Sequence, residues 1–280
     1  MGLGNEKTNE FTATSGFAPM KSPSAPVPAG LVVETMKLGL SLAPDEVPVP
    51  AALVIAWQAN EDFVSRDADD LLRGEEIARF HRITHVGVRR DFLLGRMAAK
   101  TALSACLPDI PAKAWEIRRG CWHQPVVRGP VGGLAVTLAH QEGVAVALAH
   151  DDRAMAGIDV EPFDREMAAA VASQVSASEA AWARTMSGAP GWHLLWTARE
   201  ALGKLMRSGL LRPQVLAATQ DWKRCPAGWT ATFEQDDLIA ARSVVSRGYV
   251  VTWVLPRGSL AASAEDELAG WVQAALDRVS

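Results

Sequence analysis

The chain has 280 residues, 49% of them hydrophobic and 21% charged, which suits about two modest domains or one split domain with its own apolar core. Lys and Arg number 28 against 32 Asp and Glu, for a formal net charge of −4. A balance on the acidic side gives no support to nucleic-acid binding.

Residues 1–48 are rich in Ser, Pro, Ala, Gly and Thr ("SPSAPVPAG") and are expected to form a mostly disordered arm. "ALVIAW", Ala52 to Trp57, is the first expected core strand. A helical region follows in "DADDLLRGEEIARFHRI", then a longer helix from Val88 to Leu107. In that helix Arg89, Arg96 and Lys100 are spaced by seven and four, so one face is basic. "LAVTLAH" and "GVAVALAH" alternate at period two around "QEG", which predicts a hairpin with His140 at the bend. Next comes "AGIDVE", then helices. "SASE" is a capping box ahead of "AAWARTM". "HLLWTAREALGKLMR" is a helix with Gly209 as its stop. Strands return in "GWTATFE", "DLIAARSVV" and "GYVVTWVL", and "AEDELAGWVQAALDRV" closes the chain as a helix. The mixed order argues for an α+β fold rather than strict βαβ alternation.

Other features bear on compartment. Cys106, Cys121 and Cys225 are odd in number and lack CxxC spacing, which argues for a reducing compartment without a disulfide framework or structural zinc. No run of about 18 apolar residues exists to span a membrane. The apolar patch from Gly30 to Leu42 is broken by Glu34 and Lys37 and is a poor signal peptide. A cytoplasmic protein is the simplest expectation.

Three features carry chemistry. Asp159 and Glu161 in "GIDVE" share one face of a strand. Two close carboxylates repel and are costly to bury, and a bound cation such as Mg²⁺ is the common way to offset that cost. A solvated sheet edge is the alternative. Trp196, Glu200 and Lys204 stand at i, i+4 and i+8 of one helix. A Glu–Lys pair at that spacing also stabilises an ordinary exposed helix, by a few tenths of a kcal/mol. Aimed at the strand acids, the same stripe adds a third carboxylate and a cation. Three acids, a lysine and a divalent metal suit a polyphosphate. The third feature is the basic stretch from Arg79 to Lys100, with Asp91 as its only acid. It is either a solvated helix or a surface for phosphates or an acidic protein.

"GIDVE" followed by "WTAREALGK" resembles the paired signature of the Sfp-type 4′-phosphopantetheinyl transferases, G-[IV]-D-[IV]-E then W-[ST]-x-[KR]-E-[AS]-x-x-K. "LLRGEEIARFHR", "RRDFLLGRMAAKTAL" and "HQPVV…GGLAVTLAHQEGVAVALA" extend the resemblance over about Leu53 to Leu255. It implies a pseudo-dimer of two related α/β halves, residues 49–153 and 154–258, with the active site at their interface and a C-terminal helix over 259–280. It implies a monomer with neither nucleic-acid nor membrane partners. The implied reaction moves the phosphopantetheine arm of coenzyme A onto a serine of an acyl or peptidyl carrier protein and releases 3′,5′-ADP. Carried over by position, Asp159, Glu161 and Glu200 would hold Mg²⁺, with Glu200 alternatively the general base. Lys204 would neutralise phosphate. His140 and Arg90 would contact the coenzyme A phosphates, with Arg89 and Arg79 as further cations. The family's G-K-P reads His123-Gln124-Pro125 here, and its S-H-S reads Ala139-His140-Gln141. Glu75 and Glu76 stand where members often carry positive charge. A weaker or rebuilt phosphate grip is therefore expected. Two rival readings are a transferase-like protein that binds carrier proteins without transfer, and a Mg²⁺-dependent phosphohydrolase.

Overall fold

Period-two alternation builds the first sheet. The computed structural model describes residues 31–43, 46–58, 68–163, 167–186, 190–207 and 218–279. Strands β1 (Leu31–Leu40) and β2 (Val49–Gln58) pair antiparallel. Helices α1 (Ala68–Leu71), α2 (Glu75–Arg82) and α3 (Val86–Cys106) follow. A short hairpin, β3 (Glu116–Arg119) with β4 (Pro125–Arg128), leads to β5 (Leu134–Gln141) and β6 (Val144–Asp151). The first sheet has the order β1-β2-β6-β5. Its two faces divide by size. Ala52, Val54, Ala56, Ala145 and Ala147 pack towards α3, where small side chains let the helix lie close. Leu53, Ile55, Trp57, Val146 and Leu148 point to the opposite layer. A strand buried on both faces reads as a continuous apolar run, which is why "ALVIAW" stands out. The β5–β6 turn places Glu142 and Gly143 at positive φ, 46° and 85°, as a two-residue hairpin turn requires.

The second sheet has the order β7-β11-β10-β9-β8. Its strands are β7 (Gly157–Pro162), β8 (Thr219–Cys225), β9 (Gly228–Phe233), β10 (Asp236–Ser246) and β11 (Tyr249–Pro256). Between β7 and β8 come α4 (Met167–Ala172), α5 (Ala177–Thr185) and α6 (Gly191–Leu205). The capping box holds, with Ser176 and Glu179 satisfying each other's backbone N–H. Ala198, Ala201 and Leu202 of α6 pack on Phe233, Ala241 and Val254. Gly209, the expected stop, lies outside the described residues; the helix is capped at Met206. The chain crosses from the first sheet to the second between Asp151 and Gly157. There β5 lies beside β7, and the Ile158 N–H donates to Thr137 Oγ1 at 3.3 Å.

The molecule is α+β, as expected, and two boundaries move. Residues 31–40 are strand rather than arm, while residues 1–30 lie outside the described residues. β1 is an edge strand whose middle is only partly buried, so Glu34 and Lys37 are tolerated within it. The closing helix α7 (Ala262–Leu276) is no appendage. Leu268, Val272 and Leu276 enter the core between the sheets, and Arg278 donates to Glu34 of β1 at 2.6 Å. The strands β3, β4 and β8 were not foreseen. Among the described residues, no helix is long and apolar enough to cross a membrane.

A chain lacking residues 1–45 is expected to lose stability. Reburial of Leu31 and Leu40 alone is worth about 3–6 kcal/mol, and β2 would be left with an open edge. Urea unfolding followed by circular dichroism checks this. A midpoint equal to that of the full chain would contradict the role given to β1.

Candidate active site

Gly157 opens β7 and sets its distance from α6. A Cβ there would stand 1.8 Å from the Ala201 carbonyl oxygen and 2.9 Å from the Leu205 N, so helix and strand meet backbone to backbone. From that contact the helical stripe falls on the strand acids. Trp196 Nε1 donates to Glu161 Oε1 at 3.2 Å. Lys204 Nζ donates to Asp159 Oδ1 at 2.6 Å. Glu200 stands on the same stripe between them. The i, i+4, i+8 expectation is met, and the face it forms is half-buried against β7 rather than solvated.

Asp159 is 4% exposed, and its Oδ2 has no hydrogen-bond partner. Burial pushes its carboxyl up, and Lys204 opposes the shift. Burial, then Asp159, pushes Glu161 up to about 7. Burial and Asp159 likewise raise Glu200, again opposed by Lys204. Raised carboxyls and an unspent acceptor oxygen fit a hard divalent cation, which would favour the ionised forms. Among the described residues, no three His, Cys, Asp or Glu side chains are gathered as a ready cation cage. Mg²⁺ does not require one. It is usually held by one or two carboxylates together with water and substrate phosphate.

Glu200 and Lys204 also line a cavity of about 630 Å³ between the two layers. Seven Arg or Lys side chains line it against two carboxylates, Glu200 and Asp152, which suits an anion. Arg79 is one of these cations, with its guanidinium 5.2 Å from the centre of the Phe92 ring. Gln124 lines the cavity too, but its Oε1 accepts from the Trp122 N–H at 2.9 Å.

The other expected phosphate contacts fall elsewhere. Arg89 donates through Nε to the Ile83 carbonyl at 2.8 Å and lies over Phe80, away from the cavity lining. Arg90 donates to Asp91 Oδ1 at 2.9 Å beside the β5–β6 turn and does not line the cavity. His140 packs on Gly95 of α3 and is also absent from the lining. Burial lowers its pKa to about 4, so at neutral pH it is an uncharged imidazole and not the cation that was expected.

Cavity residues that sequence reasoning passed over are Arg118 and Arg119 on the β3–β4 hairpin, Arg153 after β6, Arg207 after α6, and His150. "EIRRGC" held a signal in its paired arginines. Its meaning depends on a hairpin that was not foreseen. Arg96 was read only as one of a basic stripe. No protein-family model and no curated protein matches the chain.

Gly157→Ala should cost about 3 kcal/mol or more by overpacking, because the new methyl meets backbone; a denaturation midpoint near wild type would refute the close contact. A pH series tests the acids. The folded chain holds a proton on Glu161 that the unfolded chain releases near 4.5, so this group's contribution to stability falls as pH rises from about 4.5 through about 7. Glu161→Gln should flatten that slope. Asp159, Glu200 and Lys204 lie close enough to act on one another's charge, and added Mg²⁺ should raise the melting temperature above pH 7 and leave it unchanged below about pH 5. Indifference to Mg²⁺ at both pH values would remove the metal from the site.

Proposed function

We propose that the protein is a 4′-phosphopantetheinyl transferase of the Sfp type, a pseudo-dimer that works at the interface of its two halves. One observation carries the reading. "GIDVE" and "WTAREALGK", separate in the sequence, meet through Trp196–Glu161 and Lys204–Asp159, and Glu200 and Lys204 of that meeting line a cationic cavity while Asp159 and Glu161 lie behind it. Each sheet packs against a long helix, α3 on the first and α6 on the second, which suits two related halves, while α7, as long as α6, fills the core between the sheets.

In this reading coenzyme A brings its pyrophosphate and 3′-phosphate into the cavity. Asp159 and Glu161 would hold Mg²⁺, which when bound would supply positive charge against the pyrophosphate. Glu200 faces the cavity with a raised pKa, as a general base at neutral pH should. It takes the proton from the carrier-protein serine. The serine oxygen bonds to the β-phosphorus, the bond from that phosphorus to the bridging oxygen breaks, and 3′,5′-ADP leaves with the electron pair. Lys204, next to Asp159, balances charge as the pyrophosphate arrives. Such transfers need positioning and electrostatics more than covalent help.

The test is incubation with coenzyme A, Mg²⁺ and an apo acyl or peptidyl carrier protein, followed by intact-protein mass measurement. The expected result is a phosphopantetheine adduct on serine with release of 3′,5′-ADP. Asp159→Ala and Glu200→Ala should each slow transfer on the order of 10²–10³-fold while the fold survives. Coenzyme A binding without the adduct would favour a carrier-binding protein. Phosphate release without carrier would favour a phosphohydrolase.

A further inference from the structure

The partnerless oxygen of Asp159 has a hydroxyl beside it that does not serve it. In the second sheet Ser243 pairs with Thr252, and Thr252 pairs with Asp159, so the three residues form a row across β10, β11 and β7. Residues directly opposed on antiparallel strands share one face of the sheet, with Cβ atoms roughly 4.5–5.5 Å apart. It is the face that α6 covers: Ala241 and Val254, in the next row on that face, lie in one apolar cluster with Ala198 and Ala201. Lys204 Nζ donates to Asp159 Oδ1 at 2.6 Å, while Oδ2 is buried without a partner. A buried acceptor with a hydroxyl on the directly opposed residue is ordinarily paired with it.

The Thr252 hydroxyl is committed elsewhere. Its Oγ1 lies 2.7 Å from Thr197 Oγ1 of α6 and 2.7 Å from Ser243 Oγ. All three residues are fully buried. Thr197 Oγ1 also lies 2.8 Å from the His193 carbonyl oxygen, one turn back in α6. A carbonyl oxygen can only accept, so the single Thr197 proton goes to it. The proton between Thr197 and Thr252 then has to come from Thr252, and the one between Thr252 and Ser243 from Ser243. The chain runs one way, from Ser243 to Thr252 to Thr197 to the His193 carbonyl, and no proton in it is left for Asp159. A buried hydroxyl network with every member satisfied holds a single arrangement, which an apolar seam of the same shape would not impose.

We infer that the Ser243–Thr252–Thr197 chain keeps Asp159 Oδ2 free for a divalent cation, with Thr197 a positioning residue that acts through Thr252. The inference rests on the metal-binding role given to Asp159 in the proposed function. Its physical basis is competition for one oxygen. A hydroxyl that donated to Oδ2 would form a charge-assisted hydrogen bond, and a cation binding through that oxygen would have to displace it. By taking up the Thr252 proton, α6 withholds the rival donor. The same helix supplies Lys204 to Oδ1. One oxygen of the acid is thus neutralised from α6, and the other is left open by it.

The experiment is calorimetric titration of the full chain with Mg²⁺ above pH 7, with the melting temperature in the absence of metal as a second reading. Thr197→Val keeps the shape of the side chain and removes the acceptor of the Thr252 proton, which is then free to turn to Asp159. Mg²⁺ should bind on the order of tenfold more weakly. Thr252→Val removes the rival donor. It should bind Mg²⁺ as wild type does, although it melts lower because Ser243 loses its acceptor. Adding Thr252→Val to Thr197→Val should restore the affinity that Thr197→Val loses, a coupling that a merely structural role would not produce. Thr197→Ser keeps the chain and should keep wild-type affinity. If a valine variant does not fold, the alanine at that position takes its place in the same cycle. Wild-type affinity in Thr197→Val overturns the inference. So does a loss in Thr252→Val as large as that in Thr197→Val, since the chain would then act through the fold alone. Indifference of wild type to Mg²⁺ overturns the inference and the metal site together. The expected Mg²⁺ pattern in a chain that adds no phosphopantetheine to a carrier protein keeps the inference and sinks the transferase reading.

Discussion

The arrangement hangs on one contact, the ion pair between Lys204 and Asp159 across the seam of α6 and β7. Gly157 lets helix and strand meet at backbone distance, so the stripe of Trp196, Glu200 and Lys204 has one place to fall. Had the helix stood a side chain further off, Trp196 would not reach Glu161, and Asp159 would be a buried acid with no cation. Desolvation dominates all three carboxyls, and among the described residues Lys204 is the only cation that opposes it at each of them. One ammonium is thus asked to stabilise three acids. That is an incomplete solution, and its incompleteness is visible in the partnerless Asp159 Oδ2. A buried acceptor without a donor costs about 1–3 kcal/mol, which a bound cation would relieve.

The opposite wall has the same character with the sign reversed. α2, α3 and the β3–β4 hairpin bring guanidiniums together, and Glu76 is the buried anion that holds their base. The acids come from the second sheet and its helix; most of the cations come from the first layer and its hairpin. If the proposed function holds, the carboxylates would serve the metal and the guanidiniums the phosphate, which is the distribution an ionic reaction of that kind needs.

How much of this was legible in the sequence follows from range. Period two and period 3.6 are local, so "ALVIAW", the β5–β6 hairpin, the Ser176 capping box and the α6 stripe were readable. The meeting of the α6 stripe with β7 was also readable, because its partner strand carries acids at matching period. The β3–β4 hairpin was not, since four-residue strands are too short to show alternation. The basic face of α3 was readable as geometry, but the burial of Arg96 and Lys100 was not. Arg96 and Lys100 point inward because Glu76, a full helix earlier, receives them. In the sequence Glu76 looks like a lost positive charge; in the fold it is what permits two cations to be buried. His140 shows the same gap. Its position could be marked, but its ionisation depends on burial between β5 and α3, and that is a property of packing.

Charge, finally, has to be read by place rather than by total. The chain sums to −4. The cavity lining, with seven cations and two carboxylates, carries a formal +5, so the remainder of the chain carries −9. An anion entering the cavity would meet a net positive lining on a chain whose remaining residues sum to the opposite sign. Low-polarity walls focus that attraction. Salt would screen the exposed Arg118 and Arg153 first and the buried Arg96 least. On the proposed function the outer cations would act chiefly on the approach of the ligand. Retention would then fall to the less exposed charges, among them Lys204, whose side chain is 26% exposed beside the buried Asp159.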